Sequence, residues 1–248
     1  MAAPSPAPWW ARPTMASLDG PAFVVLARYG LRPSPPRAAD TVLIGALVWA
    51  GYVADRWLDA RHDADTATWR HGSARRLGPW LFALALLLGL AAVSAGASVG
   101  ALWLAVIGPV GRWLPLGVAV IFCGRWLRVG WPVRSLCVAW LMCALACWRA
   151  DWPAAATMSV ALLALANLTA IRRAERPGEQ GLMWWAGAVF ALALTTTLVA
   201  PSSLSLAVAV VTGLLCLFGA GSGRHAERRR AIVDAVTLLA LGAAALTS

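Results

Sequence analysis

Soluble domains carry about 25% charged residues, whereas this chain of 248 residues is 60% hydrophobic and 13% charged. That balance excludes an ordinary water-soluble core and predicts an all-α, polytopic membrane protein. The net charge of +10 comes from 21 arginines and no lysine; these sit in short loops between apolar runs, which argues against nucleic-acid binding and for the positive-inside bias of cytoplasmic loops.

The chain opens on "MAAPSPAPWWARPTMASLDG", Pro/Ala-rich and without an apolar core of signal-peptide length. Residues 1–17 read as a short disordered leader, and 18–248 as a single transmembrane helical domain. Apolar runs near the roughly 20 residues of a span fall at 18–30, 39–59, 77–95, 98–124, 133–149, 153–172, 182–199, 203–220 and 230–247, about nine helices in all. The first is short. The fourth is long and interrupted by "GPVGRWLP", where Gly108, Pro109 and Pro115 flank Arg112 and invite a kink.

Loop charge supports this division. The loops after spans two, four, six and eight, with their helix ends, hold 14 of the 21 arginines, whereas "SAGASVG", "RADWP" and "APSSLS" on the other side are nearly bare. The arginine-rich side is expected to be cytoplasmic, with the N-terminus inside, in a bacterial inner membrane. The arginines of "RYGLRPSPPR" break the pattern on the outer side.

Chemistry concentrates after spans two and six. In "WAGYVADRWLDARHD", Asp55 and Asp59 stand at i,i+4, so a helix stacks their carboxylates on one face a turn apart. Such a pair can ligate Mg²⁺, a hard cation usually held by one or two carboxylates plus substrate phosphates. Asp63 and Asp65 could supplement them. Arg56, Arg61, Arg70, Arg75 and Arg76, with His62 and His71, could meet phosphate oxygens. The same residues also suit a plain helix end at the membrane–water boundary.

"GYVADRWLD" resembles the first motif of the UbiA-type membrane prenyltransferase superfamily, Asn-x-x-x-Asp-x-x-x-Asp at the cytoplasmic end of the second of nine helices. Asp55 and Asp59 match; Gly51 stands where the family has Asn. The resemblance implies a UbiA-like bundle with a cavity opening to the cytoplasm, a prenyl diphosphate donor, Mg²⁺, and a lipophilic or aromatic acceptor. It makes Asp55 and Asp59 metal ligands and Asn167 a residue orienting the diphosphate, with Arg56, Arg61, Arg134, Arg172 and Arg173 around it. The family's second acidic motif falls at "LANLTAIRRAERPGE", and there the chain departs. Asn167, the sole asparagine, stands at its start and Glu175 in the place of the last acid, a third expected metal ligand. Leu168 and Ile171 replace the acids between. "RWLRVGWPVRSL" corresponds to the family's loop between helices four and five, with Trp131, Pro132 and Arg134 at roughly matching places.

Other polar residues have simpler readings. Asn167 can bond to a neighbouring helix, Asp234 has Arg230 at i−4, and Arg112 can snorkel. The five cysteines read as small hydrophobes and the 15 tryptophans as interfacial anchors. A possible prenyltransferase is therefore the leading expectation. A non-catalytic UbiA-like lipid-binding or scaffold protein and a small membrane transporter stand beside it. Membrane lipids and a prenyl diphosphate are the expected partners.

Overall fold

The computed structural model describes residues 17–30, 36–62, 69–99, 118–121, 130–146, 154–175, 179, 181–199, 203–218 and 226–247. Of the side chains at some helix ends, Asp59 and Glu175 among them, nothing is described. Among the described residues the secondary structure is helical, with no strand. The helices are α1 (Asp19–Gly30), α2 (Ala38–His62), α3 (Trp69–Ser94), α4 (Trp131–Ala146), α5 (Ala154–Glu175), α6 (Gly181–Val199), α7 (Ser203–Phe218) and α8 (Ala226–Thr247). Each falls on an apolar run expected from sequence. The interrupted fourth run, with Gly108, Pro109, Arg112 and Pro115, lies almost wholly outside the described residues, as does the leader up to residue 16. Among the described residues, three stretches are long and apolar enough to cross a membrane: Ala38–Leu58, Gly72–Ser94 and Gly181–Val199.

Cα packing divides the chain into two compact units, Met1–Val25 with Pro36–Val99, and Leu26–Pro35 with Gly100–Ser248. The first is built on an antiparallel pair, α2 and α3. A Cβ on Gly89 would stand 3.8 Å from Ala46, and one on Gly78 would stand 3.0 Å from the Trp57 ring. Between these two contacts Trp49, Ala50, Val53 and Ala85 form a buried seam, with Leu81 packed on it. Glycine at 78 lets the indole lie on the α3 backbone. The far end of α3 closes in a Schellman motif: Gly96 takes φ +88°, its N–H donates to Val93 O at 3.0 Å, and Ala97 N–H donates to Ala92 O at 2.9 Å. Beyond that turn, Ser98 N–H donates to the buried Asp40 carboxylate at 2.9 Å, tying the start of α2 to the end of α3.

In the second unit α5 is central, packed against α4, α6, α7 and α8. Five consecutive residues, Leu162 to Ala166, are buried, so this helix has no outward face there. Arg28, at the end of α1, is buried and donates to Ala146 O at 3.4 Å, meeting a carbonyl that the end of α4 leaves without a helical partner. Cys143 donates to Thr157 O at 3.2 Å, and Thr197 to Ser205 O at 2.9 Å, linking α4 to α5 and α6 to α7.

The apolar side chains facing outward are as telling as the buried ones. On α3, Trp80 is 77% exposed, Leu87 62% and Leu90 63%; on α6, Trp184 is 86% and Leu198 75%. Water-soluble monomers rarely show contiguous apolar patches beyond a few hundred Å².

Candidate functional site

Helix α2 runs unbroken through Tyr52, Asp55, Arg56 and Asp59, so the two acids stack one turn apart, as their spacing predicts. Asp55 is half-buried. Arg56 is committed to holding α1 in place. One terminal nitrogen donates to Asp19 Oδ2 at 2.7 Å and the other to Ser17 Oγ at 3.0 Å, while the guanidinium lies 5.7 Å from the centre of the Tyr52 ring. Both charged side chains are about nine-tenths buried, 11% and 10% exposed. The Tyr52 ring in turn covers Gly20, where a Cβ would come within 2.6 Å of it. Ser17 and Asp19 are the residues that sequence reasoning missed here; a carboxylate in the first turn of α1 was the available signal.

The end of the α2–α3 hairpin carries the remaining charges. Arg75 Nε donates to Ala60 O at 2.6 Å, satisfying a carbonyl in the last turn of α2. Arg61 lies over the Trp57 ring at 4.4 Å, within cation–π range. Arg61, Arg75 and Arg76 are exposed. Thus the pair of acid positions on α2 and three arginines share one end of one hairpin. Asp63 and Asp65 lie outside the described residues, as do the side chains of His62, Arg70 and His71.

The other expected site residues belong to the second unit. Asn167 Nδ2 donates to Asp234 Oδ1 at 3.2 Å and to Thr237 Oγ1 at 3.0 Å, bridging α5 to α8. The expected bond from Asn167 to a neighbouring helix is present, and so is the Arg230–Asp234 pairing, Nε to Oδ2 4.0 Å. The link between Asn167 and Asp234 was not anticipated. Asn167 stands eight residues before the end of α5, and Asp234 eight after the start of α8. Counting inward from those two ends would have paired them.

Arg172 donates to Glu179 at 3.0 Å and lies 6.0 Å from the centre of the Trp131 ring, which meets Trp185 edge-on at 6.2 Å. Arg134, in the first turn of α4, donates to Ile121 O at 3.3 Å. Arg173 is buried, and Glu175 closes α5. The start of α4, the end of α5 and the start of α6 therefore meet at one end of this unit, with Arg172 of α5 beside Trp131 of α4. Among the described residues no three His, Cys, Asp or Glu side chains gather as a metal site.

Comparison of the chain with known protein families, with curated proteins and with solved structures returns no match.

Proposed function

We propose that this chain is an integral membrane protein, with about nine spans in a UbiA-like bundle open to the cytoplasm, that binds the diphosphate of a prenyl lipid. One observation carries the site: the end of the hairpin where α2 finishes and α3 begins combines the stacked positions Asp55 and Asp59 with exposed Arg61, Arg75 and Arg76. Arginine forks suit phosphate oxygens, and a prenyl tail has the outward apolar face of α3 beside it.

The donor set fits Mg²⁺ shared with a substrate rather than caged by protein alone. Two carboxylate positions a turn apart on α2 suffice when phosphate oxygens and waters complete the octahedron. When bound there, Mg²⁺ would supply neutralisation of the charge that develops on a departing diphosphate. Asp55 and Asp59 would hold it, and Arg61 and Arg76 would draw the headgroup to the interface. In a transfer reaction, the bond between the first prenyl carbon and the diphosphate oxygen breaks. The acceptor then bonds to that carbon and loses a proton to water.

A second reading, binding without turnover, is favoured by Asn167. Its amide nitrogen is engaged by Asp234 and Thr237, and its helix carries Arg172 and Arg173 rather than a second acidic cluster. The two readings separate in one experiment on full-length protein in lipid nanodiscs. Farnesyl diphosphate binding is measured with Mg²⁺ and after its chelation, alongside release of diphosphate in the presence of a lipophilic phenol. Binding is expected to depend on Mg²⁺ and to be lost in D55N/D59N. Unchanged binding in that variant removes the site assignment; binding without diphosphate release selects the second reading.

A further inference from the structure

Three consecutive arginines open α8 in a setting that disfavours them. Arg228, Arg229 and Arg230 occupy its third to fifth positions, close to the positive end of the helix macrodipole, where cations are destabilising. Successive side chains leave the axis about 100° apart, so the three cannot share one partner. Arg230 reaches one turn along the helix toward Asp234, and Arg228 is exposed. Arg229 is half-buried, and its Nη1 is buried without a hydrogen-bond acceptor. A buried donor left unmatched bears its full desolvation cost, so an outside acceptor gains most at this atom.

A second unmatched donor belongs to the same end of the unit. Trp185 Nε1, in the first turns of α6, is buried without an acceptor, its ring edge-on to Trp131. Arg172, near the end of α5, bonds to Glu179 just before α6, and Asn167 of α5 bonds to Asp234 of α8. The end of α5 therefore lies with the starts of α6 and α8. Arg229 Nη1 and Trp185 Nε1 are both donors, so an acceptor is what either of them lacks, and the arginine excess at the start of α8 favours an anion there.

We infer that the start of α8 binds the phosphate headgroup of an anionic phospholipid. Arg229 donates to a phosphate oxygen, and Arg228 adds attraction from the exposed side. Guanidinium–phosphate bonds are charge-assisted and geometrically matched, and an indole N–H at the interface suits the same headgroup layer. The inference rests on the bilayer reading alone. It is independent of the diphosphate site on the α2–α3 hairpin, which belongs to the other unit.

Native mass spectrometry of the full-length protein, purified from detergent with equimolar phosphatidylglycerol and phosphatidylcholine, tests it. Retained phosphatidylglycerol is expected to exceed phosphatidylcholine by about fivefold or more, the scale of one arginine at an anionic surface. R229Q should bring the ratio close to parity, R228Q should reduce it partway, and R229K should keep part of it. Parity in the unsubstituted protein, or an unchanged preference in R229Q, overturns the proposal. Displacement of phosphatidylglycerol by millimolar inorganic phosphate reassigns the site to free phosphate and overturns the lipid assignment. Should R229Q fail to fold, R229K and R228Q decide the same question, because each removes part of the guanidinium contact and a preference unchanged in both overturns the proposal.

Discussion

Helices α3 and α5 are both long and apolar, yet they do opposite work. α5 is enclosed by α4, α6, α7 and α8, and residues 162–166 are buried in succession. α3 lies against α2 along one seam and turns Trp80, Leu84, Leu87 and Leu90 outward. Leu162, Leu163 and Leu165 on α5 are enclosed by protein, whereas Leu87 and Leu90 on α3 touch whatever surrounds the molecule. Hydrophobicity alone thus does not say what a residue is for. The outward leucines suit an apolar solvent, while the enclosed ones need close packing.

The same substitution on the two helices tests that contrast. Leu162→Ala should cost about 2–5 kcal/mol, since it opens a cavity in a fully enclosed position. Thermal or denaturant unfolding in detergent reads this directly, and a loss below about 1 kcal/mol would mean that α5 is not the core. Next in size is Asn167→Leu, which withdraws the donor from Asp234 Oδ1 and Thr237 Oγ1. Losing these two hydrogen bonds costs about 1–3 kcal/mol, toward the lower end when the unfolded reference also sits in a membrane. A neutral result would show that the α5–α8 bridge does not form. Smallest is Leu87→Ala on the outward face of α3, expected within about 0.5 kcal/mol by the same unfolding measurement. A cost matching that of Leu162→Ala would show that α3 is covered by protein and would erase the distinction.

Part of this contrast can be read from residue choice. α5 is rich in alanine, with Ala161, Ala164, Ala166 and Ala170 along its length, whereas α3 is rich in leucine. Small residues let helices approach closely within a bundle, so the alanine-rich helix is the better candidate for the centre. The polar pairs were legible to different degrees. Asp234 with Arg230 follows from i,i+4 spacing on one helix. Arg56 with Asp19, 37 residues away, and Asn167 with Asp234, 67 residues away, are set by which helices lie side by side.

By itself the sequence determined where the helices run, which loops are basic, and that Asp55 and Asp59 share a face. These are consequences of local chemistry: apolar run length, arginine placement and the 3.6-residue turn. Only the tertiary structure decided that α5 is enclosed and α3 outward. It alone showed that Arg56 pairs with Asp19 of α1, and that Asn167 bridges to α8. Lipid-facing and protein-facing helices can carry equally apolar residues, and a hydrogen-bond partner dozens of residues away is chosen by packing. Neither leaves a periodic trace along the chain.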